Sequence, residues 1–158
     1  MSEEVNRTLL SMPCEDRHKL IPASYLILRR GDEVLLLRRF NTGYEDGKYS
    51  MPAGHVDAGE TFTEALVREV AEEVGVTLRA EDVRVAHIMH RKSTVSSERV
   101  DTFFVTEKWE GEIKNMEPHK CDELAWFPSD KLPENTIPYI RQALEYIDQD
   151  KFYSEFGW

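Results

Sequence analysis

Residues 54–76 read Gly54-His-Val-Asp-Ala-Gly-Glu60-Thr-Phe-Thr-Glu-Ala-Leu-Val-Arg68-Glu69-Val-Ala-Glu72-Glu73-Val-Gly75-Val76. Within this stretch Glu69, Glu72 and Glu73 fall at i, i+3 and i+4, so a helix would carry all three on one face. Leu66, Val67, Val70, Ala71 and Val74 fall opposite and form an apolar stripe fit for a core. Like charges at i,i+4 destabilise a helix by about 0.2–0.5 kcal/mol. A hard divalent cation, which prefers oxygen ligands, turns that repulsion into coordination. The pattern therefore points to a Mg²⁺ site, with Mn²⁺ as a substitute, of the kind that holds phosphates. Thr61 followed by Glu64 is a capping-box start, and Gly75 is the expected stop.

The rest of the chain is read outward from this helix. Upstream, Ala23-Ser-Tyr-Leu-Ile-Leu28, the turn Arg30-Gly-Asp-Glu33 and Val34-Leu-Leu-Leu37 read as strand, turn, strand. Four consecutive apolar residues predict a strand covered on both faces. Asn41-Thr-Gly-Tyr-Glu-Asp-Gly47 is a loop rich in turn formers. Downstream, strands are expected over Val83–His90 and Arg99–Trp109, separated by the polar loop Lys92–Ser97, with a turn at Trp109–Glu112. A short strand follows at Asp122–Phe127. Thr136 is expected to cap a second helix with Pro138 in its first turn, and Ile137, Ile140, Leu144 and Ile147 repeat at helical spacing. The simplest assembly is an α/β fold in which a mixed sheet lies between helices, an α/β/α sandwich. Residues 1–19 are polar and expected to be loosely held, leaving 20–158 as one domain.

With 158 residues, the chain is most simply a single domain. Its net charge of −10 disfavours long nucleic acids, whose phosphates need a basic track, but not a small polyphosphate brought in with a cation. No stretch reads as a signal peptide or as a membrane span, so no membrane partner is expected. Two isolated cysteines, Cys14 and Cys121, make no disulfide framework, and a reducing cytoplasm is the default. The sequence leaves a homodimer open.

The spacing of Gly54, Glu60, Arg68-Glu69, Val70, Glu72-Glu73, Gly75 and Val76 resembles the signature box of the Nudix hydrolases, with nine specified positions over 23 residues. Met51-Pro-Ala-Gly-His-Val56 resembles the strand that enters the box in that family. Trp126-Phe-Pro128 and the helix after it are similar to family C-terminal ends, so the likeness spans roughly residues 22–148. The resemblance, to the MutT-like branch in particular, implies a Nudix fold and metal-dependent hydrolysis of a nucleoside diphosphate linked to another group. It implies Glu69, Glu72 and Glu73 as metal ligands with the Gly54 carbonyl. One glutamate, with Glu72 the choice, would activate the attacking water, Arg68 would orient the glutamates, and Glu60 would support the geometry of loop and helix.

Substrate choice lies outside the box. The ADP-ribose group of the family carries a proline downstream where this chain reads His90-Arg-Lys-Ser93. The dinucleoside-polyphosphate group places a tyrosine there, and the coenzyme A signature is matched only loosely by Leu36-Leu-Arg-Arg39. These absences leave a nucleoside triphosphate, canonical or oxidised, as the expected substrate, cleaved to monophosphate and pyrophosphate. Alternatives are a nucleotide sugar or ADP-ribose as substrate, or a regulatory nucleotide-binding domain with little turnover; RNA decapping fits the acidic balance poorly. Asn41 and Tyr44 on the loop and His55 after Gly54 are candidate substrate contacts, each with a structural reading beside it. Asp122 and Glu123 could accept hydrogen bonds from a base. Trp126, with Phe40 and Tyr49, could stack on one, although aromatics beside strands usually belong to the core.

Overall fold

β1 (Ile21–Arg30) and β2 (Glu33–Arg39) form an antiparallel hairpin in which Arg30 faces Glu33 across the turn. The computed structural model describes residues 17–93 and 98–158. β3 (Tyr49–Ser50) pairs with β2, and β4 (Ala53–His55) pairs with β1, so that Gly54 lies opposite Ser24. Helix α1 (Phe62–Val74) follows, then a 3-10 turn at Ala80–Asp82. β5 (Arg84–Lys92) and β6 (Glu98–Thr106) are antiparallel, and β6 runs parallel to β1. β7 (Cys121–Pro128) pairs with β2, helix α2 (Pro138–Asp148) crosses the sheet, and β8 (Tyr153–Phe156) adds in parallel to β5. The order along the mixed sheet is β3-β2-β1-β6-β5-β8.

Alternation along the strands builds two cores. Tyr25, Ile27, Val34, Leu36, Phe103 and Val105 turn to one side and pack with Ile137, just before α2, and with Ile140, Ala143 and Leu144 of α2. Leu26, Leu28, Leu35 and Phe104 turn to the other and pack with Leu66, Val70 and Val74 of α1. Successive side chains of a strand point to opposite faces, so a sheet covered by a helix on each side needs continuous apolar runs. The run Val34–Leu37 is buried throughout, as its composition requires. The result is the expected α/β/α arrangement.

Several local expectations change. On α1, Ala71 is exposed and Ala65 is buried instead, a rotation of the apolar stripe toward the first turn. Thr136 does not cap α2: its hydroxyl donates to the Pro133 carbonyl at 2.7 Å, closing the preceding turn, and Ile137 takes the cap position without a side-chain bond. The strand expected to run to Trp109 ends at Thr106, whose hydroxyl accepts from the Lys108 N–H at 3.1 Å and donates to its carbonyl at 3.2 Å. A local side-chain turn of this kind competes with the sheet ladder. β5 starts one residue later than expected and runs on through Arg91 and Lys92, while β8 had no counterpart in the sequence reading. The polar loop falls partly, and the N-terminal segment mostly, outside the described residues, which exclude 1–16 and 94–97.

Candidate active site

Helix α1 starts on a complete capping box: the Glu64 N–H donates to the Thr61 hydroxyl at 3.1 Å, and the Thr61 N–H donates to the Glu64 carboxylate at 2.7 Å. It ends at Gly75, whose φ of 73° is the left-handed conformation that glycine adopts freely. With both ends fixed and the apolar side buried under β1 and β2, Glu69, Glu72 and Glu73 form one wall of a cleft of about 830 Å³. β4 borders the same wall. A Cβ at Gly54 would overlap the Glu69 carboxylate, so glycine here is what lets the Glu69 side chain lie against the strand.

Arg68 organises the glutamates. Its Nε and Nη2 donate to the two oxygens of Glu60 at 2.7 and 3.0 Å, a bidentate fork. Its Nη1 donates to Glu69 at 2.6 Å, and Nη2 also reaches the His55 carbonyl at 3.2 Å. Glu60 further accepts from the Asp57 N–H at 3.0 Å. The hydrogen bonds from Arg68, then that from the Asp57 N–H, hold the Glu60 carboxyl down at about 2. The same bonds, to Glu60 first and Glu69 second, raise the Arg68 guanidinium above its ordinary value.

The ligand candidates have the opposite tendency. Glu73 accepts the Ala53 N–H at 3.0 Å, yet burial pushes its carboxyl up to about 8, with Glu69 and Glu117 adding to the rise. Burial also raises Glu69 against the pull of Arg68. Glu72 has a side chain 57% exposed, and its nearest cation is the Arg68 Nη1 at 3.8 Å. Among the described residues no three ligating side chains are already gathered into a coordination sphere. Glu69 is held by Arg68, and Glu73 by the Ala53 N–H. Enclosed carboxylates whose charged forms are disfavoured, beside a glycine that permits close approach, suit a hard divalent cation.

Asn41, Tyr44 and His55 also line the cleft. Loop 41–47 is held by its own turn chemistry, with Asp46 accepting from the Thr42 and Gly43 N–H groups at 3.0 and 2.9 Å. The other candidates lie elsewhere. Asp122 is engaged by Arg38 at 2.7 Å, and Glu123 is bonded by the Tyr49 hydroxyl, both outside the cleft lining. Trp126 packs on the α1 side of the sheet, under the Arg30 guanidinium at 4.3 Å and beside Trp109 at 6.0 Å. Tyr49 is buried against Phe127, and Phe40 is exposed outside the cleft. Another part of the cleft lining is one that sequence reasoning missed. It contains Tyr25 of β1, Arg91 of β5, Arg99 of β6 and Tyr139 of α2, and Arg39, Glu117 and Lys120 line the same cleft. A signal for it existed: Arg91 follows His87 and Met89, and Asp101 precedes Phe103 and Val105, in the alternation of buried positions.

A mixed sheet between two helices, with a carboxylate helix packed against a glycine strand at the cleft, is an arrangement this chain shares with solved structures. Comparison with known proteins gives the family. The NUDIX domain model matches residues 19–148. The NAD-capped RNA hydrolase NudC of Pseudomonas entomophila is 33% identical over 145 residues, covering 89% of this chain and 48% of that protein. The crystal structure of the MutT NUDIX hydrolase from Burkholderia pseudomallei superposes with a TM-score of 0.75 at 26% identity, over 81% of this chain and 98% of that one. That of the MutT protein from Methanosarcina mazei Go1 gives 0.73 at 25% identity, over 85% and 96%. The chain belongs to the Nudix hydrolase family, with MutT-type enzymes among its structural neighbours. It spans about half the length of the curated relatives it matches. Nudix hydrolases generally use divalent metal ions and act on small nucleotides. Among the described residues no helix is long and apolar enough to cross a membrane.

Proposed function

We propose that this protein hydrolyses the pyrophosphate linkage of a nucleoside triphosphate, canonical or oxidised, to the monophosphate and pyrophosphate, with Mg²⁺ as cofactor and Mn²⁺ as substitute. The observation that carries the reading is the wall of Glu69, Glu72 and Glu73 beside Gly54 in one cleft, ordered by the Arg68–Glu60 fork. Glu69, Glu72, Glu73 and the Gly54 carbonyl would hold the cation, whose chemistry is to neutralise charge on the phosphate oxygens. Glu72 is the base that takes a proton from the attacking water, because it is the most exposed of the three and the least tied to a partner. Arg68 and Glu60 keep Glu69 from swinging away. Asn41, Tyr44 and His55 contact the substrate from the cleft rim. Triphosphates are favoured over other nucleotides because the chain reads His90-Arg-Lys-Ser93 where the ADP-ribose group carries a proline and the dinucleoside-polyphosphate group a tyrosine.

A second reading has its own support: the sequence relatives are named NAD-capped RNA hydrolases, so an NAD-type dinucleotide is the competing substrate. The test is a panel of deoxynucleoside triphosphates, oxidised triphosphates, NAD and ADP-ribose, assayed with Mg²⁺ for the products released. Pyrophosphate and monophosphate from a triphosphate at the highest kcat/KM is the expected result. Preferred cleavage of NAD would transfer the site to the second reading, and no turnover of any nucleotide would end both.

A further inference from the structure

Arg91 and Arg99 stand directly opposite each other on β5 and β6. Like charges placed so are destabilising, and the sheet keeps them anyway. Asp101, fully buried, accepts from Arg91 Nε at 2.6 Å and faces Arg99 Nε at 3.5 Å. One carboxylate shared between two guanidiniums leaves one positive charge in excess. The arrangement is closely packed: the Arg91 guanidinium lies 3.9 Å over the Tyr139 ring, its Nη2 donates to the Tyr25 hydroxyl at 3.4 Å, and Tyr25 stacks on Phe103 at 4.7 Å. The Arg99 Nη2 lies 3.0 Å from the His55 Nε2. Since arginine can only donate, that ring nitrogen is the acceptor, and the bond turns the guanidinium toward the residue that follows Gly54. The cleft thus has an acidic wall for a cation and a prebuilt basic wall beside it.

We infer that Arg99, braced by Arg91, Asp101 and His55, forms an anion subsite for the terminal phosphate of a nucleoside triphosphate. The inference rests on the pyrophosphohydrolase reading for the identity of the substrate, though not for the existence of the subsite. A planar fork with excess charge suits the non-bridging oxygens of a phosphate, and a phosphate supplies the counter-charge that Asp101 does not. A nucleotide with two phosphates leaves this wall unpaired when its pyrophosphate lies at the glutamates. The subsite therefore sets a preference for three phosphates over two.

Two measurements test it, on the full chain. In EDTA the glutamate wall repels anions, so binding of inorganic phosphate by titration calorimetry reports the basic wall alone. Arg99→Gln should weaken that binding about tenfold or more, Arg99→Lys, which keeps charge and loses the fork, by less, and exposed His55→Ala severalfold. With Mg²⁺ restored, Arg99→Gln should raise KM for a nucleoside triphosphate more than it lowers kcat. It should also shrink the advantage of a triphosphate over the diphosphate of the same nucleoside, read as competing inhibitors. Melting curves show whether Arg99→Gln is folded; should it not be, His55→Ala and Arg99→Lys carry the test. Phosphate binding unchanged in all three variants overturns the subsite, as does a kcat loss with KM unchanged. Should the wild type bind phosphate through Arg99 yet turn over no nucleotide, the subsite stands and the proposed function falls.

Discussion

Gly54 shows how much of the chemistry rests on one missing methyl group. A Cβ there would overlap the Glu69 carboxylate, which is the end of a flexible side chain and can swing away. Gly54→Ala should therefore fold with a small loss of melting temperature and lose most turnover, because the displaced group is a proposed ligand. A variant with near wild-type rates would show that Glu69 is not needed where it sits. Arg68 is the second such position. Its fork to Glu60 and its bond to Glu69 depend on planar geometry that lysine lacks, so Arg68→Lys should lower kcat while keeping the charge. Measured kcat equal to wild type would reduce Arg68 to a surface cation. These residues were legible because the box fixes their spacing. Asp122, Glu123 and Trp126 are harder to read: acidic and aromatic residues near a strand end look alike whether they face a ligand, an arginine or the core. Here Arg38, Tyr49 and Arg30 take them.

At the scale of elements, α1 is the part that had to be right. Its cap pair satisfies donors that a helix start leaves open, and Thr61→Ala should cost about 1 kcal/mol, read as a lowered unfolding midpoint. An unchanged midpoint would mean that packing alone fixes the helix start. The cap and the stop were readable because Thr61, Glu64 and Gly75 act within one turn of the chain. The start of α2 was not, since Thr136 bonds Pro133 and the choice between turn and cap is made by the fold. β8 escaped for a similar reason: four residues carry no period, and the strand exists because β5 offers an edge. The extension of β5 to Lys92 is what places Arg91 in the cleft, and a boundary drawn two residues short hides a whole wall of the site.

For the whole molecule, the cleft encloses carboxylates whose charged forms burial disfavours, and the proposed cation would offset that cost. Burial pushes the folded Glu73 carboxyl up to about 8 from its ordinary 4.5, and Glu69 is shifted in the same direction. Between those values the folded state binds more protons than the unfolded one, so stability falls as pH rises from about 4.5 to about 8. The loss is at most about 1.4 kcal/mol for each pH decade per group. Glu60, held low, acts oppositely, and its contribution is lost as pH drops toward about 2. Melting of the metal-free protein across that range should show the decline, and saturating Mg²⁺ should flatten it, since a ligand of the folded state adds about 2.7 kcal/mol at 100 times its Kd. A metal-free melting temperature level from pH 5 to pH 8 would contradict the burial of Glu73. The central claim, that the α1 carboxylates are a catalytic wall and not a solvated face, is tested most directly by the Mg²⁺-dependent turnover of Glu72→Gln beside that of the wild type. Glu72 is exposed and bears no core contact, so the account predicts an unchanged or slightly higher melting temperature with turnover lowered about 10²-fold or more. Wild-type turnover of the best nucleotide by Glu72→Gln would contradict it.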